Sequence, residues 1–180
     1  NSIEGFHKQL PNASFDFVCA NYDFKNTVLD TLVKPYKIFF KDGIKIGVFG
    51  LGIELLHLVS PDLYKETKYL DPIEITQDIS RDLKEKEACD LVICLSHLGY
   101  NYKNSDKISD LKLAAATKNI DLIIGGHTHT FLPKPTLVKN LNNENVLVNQ
   151  VGAYGVNLGR VDFYFDENNQ REISNKTIIL

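Results

Sequence analysis

The segment Gly125-Gly126-His127-Thr128-His129-Thr130 closes an apolar run, Asp121-Leu122-Ile123-Ile124. Imidazole nitrogen is a common ligand for borderline divalent cations, and two histidines one residue apart can each offer one. The two preceding glycines predict a sharp backbone turn and a close approach to a ligand. A simpler version of the pattern stands earlier, where Asp90-Leu91-Val92-Ile93-Cys94-Leu95 runs into Ser96-His97. Two apolar strands that each end in histidine, one strand–helix–strand unit apart, predict a composite site. His97, His127 and His129 are thus candidate metal ligands. Three imidazoles could hold one zinc-like ion and leave a position open.

Other residues near this site fall into place around it. Asn149 and Gln150 end a later strand, where an amide could reach a ligand or orient a histidine from behind. Asp90 and Asp121 begin their strands, at the end opposite the histidines. Asp106 and Asp110 follow His97 in sequence; Asp110 could orient the loop, but a solvated helix face is the expectation. Ser96 and His97, adjacent at a strand end, point apart, and no G-x-S-x-G turn exists to expose a nucleophile. His7 and His57 read as structural. A P-loop and a dinucleotide glycine fingerprint are absent.

The elements that must hold these residues can be read from periodicity. Ser2 to Leu10 has helical spacing at Ile3, Phe6 and Leu10, and Pro11 stops it. Ser14 to Ala20 alternates around Phe15, Phe17 and Cys19, which predicts a strand. Asp42-Gly43, between Tyr36–Lys41 and Ile44–Gly50, signals a hairpin. A loop from Ser60-Pro61 leads to a helix over about 74–88, with Ile75, Ile79 and Leu83 on its apolar side. A second helix is expected over about 105–118, with Ile108, Leu111 and Ala115 inward. The order from Ile44 to Ile124 is therefore strand, helix, strand, helix, strand, a right-handed parallel unit. Both histidine loops then lie at carboxyl ends of parallel strands, where such sheets bind ligands. Beyond Pro135 the strands 136–139, 146–151, 158–165 and 172–179 read as an antiparallel meander, with turns at Asn142-Asn143-Glu144-Asn145 and Glu167-Asn168-Asn169. The fold class is α/β (α+β), with two sheets packed face to face and helices outside.

Composition narrows the partners. The chain has 180 residues, 43% of them hydrophobic and 24% charged, with net charge −3, as expected of one ordinary globular domain. No basic face is present for a nucleic acid duplex, and no apolar stretch is long enough to span a bilayer. Cys19, Cys89 and Cys94 sit in apolar runs and read as buried thiols rather than a disulfide framework. The chain contains no methionine, so Asn1 is not expected to be a translation start.

Ser96-His97-Leu98-Gly99, Gly125-Gly126-His127-Thr128-His129-Thr130, Gln150-Val151-Gly152-Ala153-Tyr154-Gly155 and Leu158-Gly159-Arg160 together resemble the calcineurin-like metallophosphoesterases. The similarity is greatest to the 5′-nucleotidase branch, which Cys19-Ala20-Asn21, Lys34-Pro35-Tyr36 and Ile46-Gly47-Val48-Phe49-Gly50 also match. The resemblance covers nearly the whole chain. It implies an αββα metallophosphatase sandwich of two mixed sheets, carrying two divalent ions (Mn, Zn, Fe or Mg) that activate water against a phosphate ester such as a nucleoside monophosphate. His97 and His127 would ligate one ion and His129 the other. The family's Asp-x-His, Gly-Asp-x-x-Asp and Gly-Asn-His-Glu elements are not in this chain. On that basis residues 1–180 form the C-terminal portion of one catalytic domain, with the catalytic residues and remaining ligands in an upstream segment that acts as its partner. An extracytoplasmic location, periplasmic or secreted, is implied as well. The rival expectation is a non-catalytic or single-metal binding module.

Overall fold

The computed structural model describes residues 2–103, 105–166 and 171–179. Helix α1 (Ile3–Gln9) starts at Ser2, whose hydroxyl accepts from the Gly5 amide, and a 3₁₀ turn at Leu10–Asn12 carries Pro11. Then come β1 (Tyr22–Asp23), β2 (Tyr36–Lys41), β3 (Ile44–Leu51), α2 (Pro61–Tyr64) and β4 (Lys68–Tyr69). Helix α3 (Pro72–Arg81) runs into a π-helical turn at Asp82–Lys86 and is followed by β5 (Leu91–Ser96). The remaining elements are α4 (Asp110–Ala116), β6 (Leu122–Ile124), β7 (Thr136–Lys139), β8 (Asn145–Asn149), β9 (Asn157–Phe165) and β10 (Arg171–Ile179).

Six strands form one mixed sheet in the order β2-β3-β5-β6-β8-β7. β3, β5, β6 and β8 are parallel neighbours, and antiparallel β2 and β7 close the two edges. One face of this sheet carries Phe49, Val92, Cys94, Ile123, Val146 and Val148, all fully buried. They pack with Leu83, Leu98, Leu113, Ala114 and Ile120 into a single core. The opposite face is only partly covered. Ile93 and Leu122 share a cleft of about 430 Å³ with Val161 and Phe163 of β9, while Leu95 and Ile124 remain 41% and 46% exposed. A second sheet is the antiparallel β9–β10 hairpin, and β1 and β4 form a further antiparallel pair.

Several expectations need correction. The expected strand over Ser14–Ala20 is reduced to a single bridge between Val18 and Lys34. Helix α4 covers only part of the expected 105–118 span, because Ser109 caps it by accepting from the Lys112 amide. Ile108 and Leu111 pack partly buried against the core as expected, but Ala115 is exposed, and the fully buried stripe is Asp110, Leu113, Ala114 and, at the C-cap, Thr117. Polar residues at both ends of the stripe hid it from hydrophobic periodicity. On α3 and the turn after it, Ile75 and Ile79 pack against the core and Leu83 lies in it, as expected, beside buried Thr76 and Ser80; the Ser80 hydroxyl bonds to the Lys118 carbonyl (2.9 Å). The late strands are not one meander. β7–β8 and β9–β10 are separate hairpins, and β8 joins the main sheet alongside β6. The turn expected at Glu167-Asn168-Asn169 lies outside the described residues.

Candidate metal-binding edge

The site is built at the carboxyl ends of β5, β6 and β8. Hydrogen bonding from the His97 amide to the Leu51 carbonyl (2.8 Å) ties the loop after β5 to the end of β3. The Gly125 amide donates to the Asn149 carbonyl (2.8 Å), which ties the loop after β6 to the end of β8. Parallel pairing of Leu95 with Ile124 sets the two loops side by side. The His97 and His127 rings meet edge to face with centroids 5.2 Å apart. A side chain on Gly126 could not fit without crowding His97, since a Cβ there would lie 3.0 Å from Nδ1. His129 sits on the outer side of the loop, its ring 5.9 Å from that of Tyr154.

The sharp turn is carried by the histidines themselves. His127 (φ 66°) and His129 (φ 53°) both adopt the left-handed region, whereas neither Gly125 nor Gly126 has a positive φ. Such a conformation costs roughly 1–3 kcal/mol in a residue with a side chain and persists where the surroundings fix it. Gln150 supplies much of that fixing. Buried at the end of β8, it donates from Nε2 to the Gly126 carbonyl (2.5 Å). Its Oε1 accepts from the Thr130 amide and from the Thr128 hydroxyl. Thr128 Oγ1 in turn accepts from the Tyr100 amide (3.0 Å), which joins the His97 and His127 loops directly. Asn149 faces the cleft under β9, and its Oδ1 is buried without a hydrogen-bond partner.

Partial burial, then neighbouring His129, holds the His97 imidazole below the ordinary histidine range. His127 is lowered by burial first, then by His97, Lys107 and His129. Both rings are therefore neutral at pH 7, the protonation state that offers a nitrogen lone pair to a cation. The donor set is nonetheless partial. Among the described residues no group of three or more His, Cys, Asp or Glu side chains is arranged to hold a metal ion. The imidazoles suit part of the coordination of one ion, and they include no carboxylate to bridge a pair.

Asp90 and Asp121 lie at the far strand ends, where they accept from the Lys45 amide (2.8 Å) and the Val92 amide (2.7 Å). His7, His57 and Asp106 are exposed. Cys89 and Cys94 are buried free thiols; Cys19 is half-buried and free, its thiol pushed up to about 11 by desolvation. The expectation for Asp110 fails most clearly. Rather than facing solvent, it is fully buried beneath the two histidine loops and accepts from the Ser96 hydroxyl (2.5 Å).

The chain is similar to known proteins along its whole length. It is 35% identical, over 97% of its residues and 12% of the relative, to the trifunctional nucleotide phosphoesterase protein YfkN of Bacillus subtilis. It is 32% identical, over 92% of its residues and 33% of the relative, to a 5′-nucleotidase of Vibrio cholerae. The crystal structure of a 5′-nucleotidase precursor from Thermus thermophilus superposes with a TM-score of 0.84 at 28% identity, covering 97% of this chain and 35% of that one. The NAD nucleotidase of Haemophilus influenzae superposes with a TM-score of 0.82 at 29% identity, over 98% and 37%. The chain thus spans at most about a third of the curated relatives named here. The sequence profile of the calcineurin-like phosphoesterases matches residues 4–131, from α1 through both histidine loops. That match, laid over a mixed sheet with two histidine loops at its carboxyl edge, makes this chain a member of the calcineurin-like phosphoesterases, a family of hydrolases.

Proposed function

We propose that this chain is part of a metal-dependent phosphomonoesterase of the 5′-nucleotidase type, acting on nucleoside monophosphates and related phosphate esters. The observation that carries the reading is the pair of neutral imidazoles of His97 and His127, 5.2 Å apart at the carboxyl ends of neighbouring parallel strands, in a family of phosphoesterases. His97 and His127 would hold one divalent ion and His129 would reach a second. Bound ions would supply Lewis-acid stabilisation of the charge that develops on the phosphate. The acidic bridge and remaining ligands are proposed to come from residues outside these 180, upstream in the same catalytic domain. The half-covered sheet face, with Leu95 and Ile124 exposed, supports a further segment packing there. What this chain contributes by itself is orientation: Gln150 and Thr128 hold the loops, and the neutral rings present their nitrogens. Selectivity for the nucleoside is expected to be loose where phosphate alone is recognised.

An extracytoplasmic location belongs to the same proposal; among the described residues no helix is long and apolar enough to cross a membrane. The test is hydrolysis by the full-length protein, loaded with manganese or zinc, of nucleoside monophosphates and a chromogenic aryl phosphate. Release of inorganic phosphate from both is expected. A loaded protein that ignores both overturns the reading in favour of a non-catalytic, single-metal module.

A further inference from the structure

Asp110 is the buried ionisable group that the proposed chemistry leaves without a role. Its side chain is fully removed from solvent, and one carboxylate oxygen, Oδ2, has no hydrogen-bond partner. Burying a carboxylate half-satisfied is costly, so its neighbours show what it offsets. Through Oδ1 it accepts the Ser96 hydroxyl (2.5 Å), and Ser96 Oγ also accepts from the Leu98 amide (3.1 Å), so this hydroxyl spans both sides of His97. Asp110 grips the same loop with its main chain, donating from its amide to the Gly99 carbonyl (2.8 Å). Oδ2 lies against the second loop. The space that a Gly125 side chain would take is held by Asp110 Oδ2 and Gln150 Nε2, so any Cβ at Gly125 would overlap the carboxylate. Gly125 has no positive φ, so what the position requires is space rather than backbone freedom.

We propose that Asp110 is a positioning residue for the histidine edge: it fixes the His97 loop through Ser96 and Gly99, and sets the His127 loop by seating Gly125 against its carboxylate. The two loops come from different strands, and no ring-to-ring hydrogen bond is present to hold their relative placement. Besides Asp110, the strand pairing of Leu95 with Ile124 and the contact from the Tyr100 amide to Thr128 link them. Asp110 touches neither imidazole, so it acts through backbone and hydroxyl. Its importance for catalysis rests on the phosphoesterase reading; its control of ring placement does not.

The test uses the chain without metal, so it stays separate from the question of activity. Long-range ¹H–¹⁵N spectra report the His97 and His127 rings, and the inter-ring nuclear Overhauser contact reports their proximity. Ser96→Ala and Asp110→Ala are expected to shift both sets of ring signals and to abolish the contact while melting remains cooperative. Their combination should do no more than the stronger single change. Asp110→Asn, which keeps an acceptor for Ser96, should restore the contact. Gly125→Ala, which displaces the carboxylate, should reproduce the loss. A residue that merely supports the fold would lower the melting temperature and leave the ring signals in place. Folded Ser96→Ala and Asp110→Ala chains with unchanged rings overturn the proposal, as does full additivity of the two. Should Asp110→Ala not fold, Ser96→Ala decides alone, since it removes one hydroxyl and leaves the carboxylate in place.

Discussion

Gln150 holds two left-handed histidines in place with a single side chain, and the cost of removing it can be set out atom by atom. Gln150→Ala would leave the Thr130 amide without its partner and the Gly126 carbonyl with the Thr128 amide alone. About 1–3 kcal/mol of stability should be lost in urea unfolding, a desolvation penalty rather than a packing one. An unchanged midpoint would show that water satisfies the loop equally well. Asp110 predicts a pH effect of opposite character. Burial raises its carboxyl from the ordinary 3.8 to about 7, against the lowering effect of the Ser96 hydroxyl. A raised carboxyl favours the folded state fully below the unfolded value, and that contribution fades as pH rises through about 7. Asp110→Asn should therefore gain stability relative to the natural chain as pH climbs from 4 to 8, by up to about 4 kcal/mol. Parallel melting temperatures across that range would contradict it. Residue by residue, the histidines stood out in the sequence as a group, two of them one residue apart and a third at a neighbouring strand end, whereas a lone histidine reads as structural. The burial of Asp110 was not legible, because a carboxylate between Ser109 and Leu111 resembles any helix start, and its partner Ser96 is remote in sequence.

Among the elements, hairpins, parallel strands and most of the apolar side of each helix were legible, and the polar residues buried beside it were not. Asp42-Gly43 joins β2 to β3 with φ values of 50° and 83°, as its turn chemistry requires. β6 occupies the expected residues Leu122–Ile124 because a short, fully apolar run suits a strand buried on its core side. Periodicity reads the apolar sides of α3 and α4 at Ile75, Ile79, Leu83, Ile108 and Leu111, which pack in or against the core; what it leaves out is the buried polar residues beside them, Thr76, Ser80 and Thr117, two of which bond to carbonyl groups. Thr117 Oγ1, for instance, bonds to the Leu113 carbonyl (2.7 Å). The strand expected near Phe15 and Phe17 failed for a different reason. Its aromatic side chains pack with one another and with Phe6, at 5.0 and 4.7 Å, instead of facing a sheet partner. The start of α3 offers a clean check. Asp71 Oδ1 accepts from the amides of Ile73 (2.8 Å) and Glu74 (3.1 Å), so Asp71→Ala should cost about 1 kcal/mol in thermal or urea unfolding. A neutral result would mean that Pro72 alone sets the helix start.

At the scale of the molecule, the sheet shows two unequal faces and one functional edge. The helical face is close-packed, while the face under β9 leaves a cleft of about 430 Å³ and exposes Leu95 and Ile124. A second cleft, of about 380 Å³, opens beside His97 and is floored by Leu51, Leu95 and Ile124. These apolar surfaces next to the histidines should make the isolated chain associate in solution, and sedimentation at rising concentration should show it. A strictly monomeric chain at high concentration would mean that the exposed face tolerates water.

In the proposed reading, His97, His127 and His129 are metal ligands, presented without a carboxylate arranged beside them among the described residues. Neutral imidazoles bring no negative charge, and two divalent ions held close together repel strongly unless anionic ligands lie between them. The decisive measurement is equilibrium dialysis of the isolated chain against manganese or zinc, repeated with His127→Ala. At most one ion per chain is expected, with affinity at least about tenfold weaker in the variant and negligible hydrolysis of a chromogenic phosphate monoester. Two tightly bound ions with turnover, or binding that His127→Ala leaves intact, would contradict it.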